Sequence, residues 1–187
     1  MSARFASLLA LLMFAVSAVT VAPASADQTD PELDRLFGAL QGAEGPDAQK
    51  VQNAIWGVWH DSGSDTVDLL MNDAAQAVQM GLHDQAEAQY DAVVDLAPGF
   101  AEGWNRRATL RFMRGNYTGS IEDISRVLDL EPRHFGALAG LGAIYDRLNQ
   151  PEAALESFRQ ALLINPHMAE VRQRVEALRK EIGDRDI

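Results

Sequence analysis

Residues 135–168, FGALAGLGAIYDRLNQPEAALESFRQALLINPHM, decide the fold. The apolar-periodic run LLIN ends at Pro166, where the ring removes the backbone donor that a continuing helix requires. The same event occurs twice upstream. VLDLE runs into Pro132 and VVDLA into Pro98, so the three prolines stand 34 residues apart. A fixed period of this length marks a chain built from stacked copies of one supersecondary unit.

Aligned on those prolines, residues 67–100, 101–134 and 135–168 share a pattern. Seventeen residues before each proline sits Gly81, Gly115 or Asn149, types that accept the left-handed conformation at a helix end. Twelve before sits Ala86, Ser120 or Ala154, and eight before sits Tyr90, Ile124 or Phe158. Five before sits Val93, Val127 or Ala161. Leu70, Trp104 and Leu138 stand 28 before, and Ala74, Ala108 and Gly142 stand 24 before. Each segment reads as two antiparallel helices. Small residues let the helices approach, and large ones fill the gap between them.

Leu138, Leu141, Gly142, Tyr145, Ala154, Phe158, Ala161 and Pro166 together resemble the tetratricopeptide repeat. The resemblance implies an all-α solenoid of tandem helical hairpins. The flanks extend it. Residues 27–66 suggest an N-terminal hairpin or cap, with Leu33, Leu36, Phe37 and Leu40 in one helix and Val51, Ile55, Trp56 and Trp59 in the next. Pro31 and Gly45-Pro46 start these helices. Residues 169–187 continue a stripe of Met168, Val171, Val175, Leu178 and Ile182 over a polar face, the pattern of a capping helix.

The first 26 residues have the parts of a secretory signal peptide. Arg4 is followed by LLALLMFAV at 8–16 and by Ala24-Ser25-Ala26. The rival is an uncleaved anchor, since residues 5–22 form a charge-free run of 18. Cleavage after Ala26 leaves 161 residues, enough to bury roughly 70% of the unfolded surface. A periplasmic or secreted location follows as an expectation. The chain has no cysteine, so stability comes from packing alone.

The net charge of −11 opposes nucleic acid, whose binding rests on phosphate neutralisation, and opposes anionic lipid. Neutral or basic protein partners suit it. Residues 101–134 depart from this average, with six arginines against five acids. Intramolecular ion pairing would absorb them. Asp73 and Arg107 occupy equivalent places in adjacent segments, so their side chains are expected to meet.

No nucleophile elbow, phosphate loop or zinc-protease motif occurs in the sequence. The four histidines have no partner at a spacing of four and no cysteine to assist, so neither metal nor other cofactor is expected. The expected function is non-catalytic protein binding. A hydrolase built on the loop HDSGSD, using His60 and Ser62, is the remote alternative. Asn116-Tyr117-Thr118 fits a glycosylation pattern and reads as a turn between helices.

The resemblance implies that ligands lie against the first helices of successive hairpins. The residues carried over are Met71, Asn105, Arg106, Thr109, Phe112, Ala139, Gly140 and Ala143, with Arg133 and His134 at the preceding turn. Asp68, Ala75, Val78, Glu102, Gly136 and Asp146 share that face. Family members that clamp a peptide carboxylate use Lys, Asn and Arg, where this chain has Met71, Ala75, Gly136 and Gly140. A partly apolar groove for an extended peptide or a helix of another envelope protein fits better. A homo-oligomer joined through Trp56 and Trp59 is the alternative.

Overall fold

The computed structural model describes residues 31–185, so the signal-peptide expectation for 1–26 lies outside the described residues. Among those residues the chain forms nine helices and no strand. Three hairpins carry the repeats. They are α3 (Asp65–Gln79) with α4 (His83–Leu96), α5 (Ala101–Met113) with α6 (Tyr117–Leu130), and α7 (Phe135–Arg147) with α8 (Pro151–Ile164). Each hairpin also packs on the next, through α4 against α5 and α6 against α7.

Gly81, Gly115 and Asn149 do turn the chain at positive φ, at 73°, 76° and 55°. The following N–H closes each helix end five residues back, as in Leu82 to the Ala77 carbonyl at 2.8 Å. Ala86, Ser120 and Ala154 are buried where the helices cross, and Tyr90, Ile124 and Phe158 fill the space beside them. A Cβ at Gly142 would stand 2.6 Å from Phe158 Cδ1, so only glycine permits that contact.

Asn116 caps α6 by accepting from the Gly119 N–H at 3.1 Å. An Asn116→Ala variant should therefore lose about 1 kcal/mol in a denaturant titration, and an unchanged midpoint would count against the cap.

The last helix, α9 (Ala169–Arg185), seals the array. Val175 and Leu178 bury against Ala154 and Phe158, and Arg174 holds Asp146 with two bonds of 2.6 Å. That bridge holds the Asp146 carboxyl below its ordinary range.

The N-terminal hairpin, α1 (Pro31–Gly42) with α2 (Gly45–His60), does not stack ahead of α3. It folds back across α5 and α7. Leu33, Leu36, Phe37, Leu40, Ile55 and Trp59 form one core with Phe135, joined by Ile164 and Met168. Trp56 lies against Gly136, where a Cβ would come within 2.8 Å of its ring. Gln41 reaches the Ile164 carbonyl at 2.7 Å, and Asp34 pairs with Arg133 at 2.5 Å.

This placement corrects the expectation of an exposed tryptophan patch. Trp59 is 1% exposed, stacked at 4.1 Å on the His134 ring, and Trp56 meets His134 and Phe135 edge-on. Burying the Trp59 indole and part of Trp56 inside the chain contributes more than leaving them in water.

The Asp73–Arg107 pairing is also corrected. Arg107 turns instead to Asp123, with bonds of 2.7 and 3.0 Å, and to Asp91 at 2.7 Å. The second helices α4 and α6 flank α5, so their acids lie nearer than Asp73, which is exposed on α3. Arg111 joins Glu87 and Asp123, and Arg114 joins Asp84 and Glu87. All six arginines of residues 101–134 are paired within the chain.

Candidate functional site

The first helices α3, α5 and α7 present a row of side chains in which two cavities open. One, of about 110 Å³, lies between α5 and α7. Five of the expected binding residues line it: Asn105, Thr109, Phe112, Gly140 and Ala143. Its floor is apolar, with Ala108, Ile124 and Ile144. The three glycines of α7 separate here by role. Gly142 admits Phe158 and Gly136 admits Trp56, whereas a Cβ at Gly140 would meet only Ile124 Cδ1, at an ordinary 3.6 Å. Gly140 leaves the space open.

The other cavity, of about 420 Å³, lies between α3 and α5 beneath the end of α2. Met71 and Arg106 from the expected set line it, with His60, Asp68, Asn72, Ala75 and Tyr90. Burial pushes the Tyr90 phenol up, an effect Arg106 partly offsets.

Between the two cavities sits a carboxylate that the resemblance places on the ligand-facing side. Glu102 is fully buried, one residue into α5. Its oxygens accept from Asn105 at 2.8 Å and Arg106 Nε at 2.5 Å, and His134 and His60 Nε2 stand at 3.2 and 3.1 Å. Burial alone would raise its pKa. The contacts with His134 and His60 and the Arg106 charge outweigh that and hold the carboxyl below its usual range. The His134 Nδ1 accepts the Ala137 N–H at 3.1 Å and caps α7, so Nε2 carries the proton toward Glu102.

Other expected handles lie elsewhere. His134 is 0% exposed, hence a core residue and not a surface contact. Its position one residue before the helix is a cap site, and the sequence showed it only as part of a turn. Arg133 is held by Glu131 and Asp34 and stacks on Phe37 at 4.5 Å, away from both cavities. Ala139 packs toward α8 and α9. In the 60–65 loop, Ser62 is fully buried and donates to Asp68 at 2.6 Å, while His60 turns to Glu102 and Arg106. The two residues of the hydrolase alternative therefore belong to separate networks. Among the described residues no group of three or more side chains could hold a metal ion, and no helix is long and apolar enough to cross a membrane.

Tetratricopeptide repeat signatures match residues 74–130 and 136–168. A TPR repeat-containing protein of Rhizobium etli is 40% identical over 152 residues, covering 81% of this chain and 74% of that protein. Solved structures share the fold at lower identity. The first TPR of Spaghetti (RPAP3), bound to an HSP90 peptide, superposes with a TM-score of 0.61 at 18% identity, covering 64% of this chain and 95% of that one. The Yersinia enterocolitica type III secretion chaperone SycD, in complex with a peptide of the translocator YopD, gives 0.59 at 17% identity, covering 63% and 95%. With the repeats, their turns and their relatives in agreement, the chain belongs to the tetratricopeptide repeat family.

Proposed function

We propose that this protein is a non-catalytic adaptor that works in the bacterial envelope and docks a segment of another protein on the face formed by α3, α5 and α7. The observation that carries this is the open space at Gly140, framed by Asn105, Thr109, Phe112 and Ala143 on the edge of the Trp56 seat. A groove with an apolar floor and polar rims suits an extended peptide or an amphipathic helix. Peptide complexes of fold neighbours, Spaghetti and SycD, support the reading by analogy. Export rests on the leader-like residues 1–26.

A photo-crosslinking side chain at Thr109 tests it in intact cells. The expected result is an adduct with one envelope protein that disappears in Gly140→Leu, because leucine fills the cavity, while circular dichroism stays unchanged. An adduct that survives Gly140→Leu places binding elsewhere. An adduct with a second copy of this chain replaces the adaptor with self-association. Amino-terminal sequencing of the purified protein should begin at Asp27, and recovery of Met1 in a membrane fraction would defeat export by cleavage.

A further inference from the structure

We propose that the cavity between α3 and α5 is a subsite for a basic side chain, a lysine or arginine carried by the docked segment; this rests on the groove reading above. Asp68 is the first reason. Among the described residues it has no cationic partner, and the Ser62 hydroxyl and N–H both fall on its Oδ1, at 2.6 and 3.4 Å. Oδ2 stays open to an incoming donor. Tyr90 is the second, independent reason. Its side chain lines the cavity and is 3% exposed, yet its hydroxyl has no hydrogen-bond partner among the described residues. That hydroxyl is not sealed from solvent, so it faces the cavity ready to accept from or donate to a ligand.

The walls fit the rest of such a ligand. Met71 and Ala75 offer an apolar surface for an alkyl stem, the way long basic side chains lie when only their heads are polar. The cation in the wall, Arg106, is turned to Glu102, with Nε at 2.5 Å, and makes no ion pair with Asp68. That leaves the Asp68 charge uncompensated on the cavity lining. An anionic ligand would meet Asp68 and the net charge of −11, whereas a cation is favoured by both.

The test is an amide NMR titration of the chain beginning at Asp27 with three blocked amino acids: N-acetyl-arginine amide, N-acetyl-norleucine amide and N-acetyl-aspartate amide. The arginine probe should shift the Asp68 and Asn72 signals saturably at millimolar concentration. The norleucine probe should bind about tenfold more weakly, as expected for loss of one charge-assisted bond, and the aspartate probe more weakly still. Asp68→Asn should weaken the arginine probe about tenfold and Tyr90→Phe about threefold. Equal shifts from norleucine or aspartate overturn the proposal, and the comparison of probes on the native chain needs no variant to fold. If Gly140→Leu abolishes the Thr109 adduct while arginine shows no preference, this subsite falls and the groove stands.

Discussion

Replacing Glu102 with alanine should destabilise the protein by about 3 kcal/mol, because it leaves the sealed His134 Nε2 without an acceptor and takes one from Asn105 and Arg106. Asn105, Arg106 and His134 all aim at that carboxylate, and His134 is sealed beneath Trp59. A milder variant, Glu102→Gln, keeps the shape and removes the charge, and it yields a pH signature. The folded carboxyl titrates below its ordinary 4.5, so its contribution is complete above about pH 4.5 and is lost as pH falls further. Wild-type stability should therefore drop more steeply below pH 4.5 than that of Glu102→Gln, and the two curves should converge in acid. Urea titrations between about pH 3 and 7 read both slopes. Parallel curves would show that the ionised carboxylate does not stabilise this junction.

Asp123→Ala should cost a similar amount, about 3–5 kcal/mol, for a related reason. Asp123 is 2% exposed and accepts from both Arg107 and Arg111, so its loss leaves two guanidinium groups half-paired between helices. A double-mutant cycle of Asp123→Ala with Arg107→Ala should show strong coupling. The same cycle with Asp73→Ala should show none, and Asp73→Ala alone should stay within about 0.5 kcal/mol of wild type. Coupling between Asp73 and Arg107 in solution would contradict the observed network.

These two sites mark where the sequence could be read and where it could not. The repeats were legible because their determinants are local and periodic. Pro98, Pro132 and Pro166 end helices, Gly81, Gly115 and Asn149 turn them, and Ala86, Ser120 and Ala154 sit at crossings. The cavity at Gly140 was legible too, through the positions equivalent from one hairpin to the next. The partners of Arg107 were not, since two equivalent positions in adjacent segments say nothing about the second helices that lie closer. Nor was the seat of Trp56 and Trp59. Their partners, His134, Phe135 and Gly136, lie more than seventy residues onward, and no periodicity connects the two stretches. His134 followed the same rule, because a turn residue and a buried cap look alike until the covering indole is placed.

The return of the N-terminal hairpin has a consequence for the order of events in making this protein. A linear solenoid holds only neighbour contacts, so each unit can settle as soon as the next one exists. Here Leu40 and Gln41 bond to His167 and to the carbonyls of Leu163 and Ile164, residues 122 to 127 positions later. The helices synthesised first cannot take their places until almost the whole chain is available. Contacts so distant in sequence are slow to form, and during that interval Trp56 and Trp59 lack the cover of His134 and Phe135. Docking of the hairpin is thus the final step of assembly, and it also couples α5 to the last repeat so that they melt together.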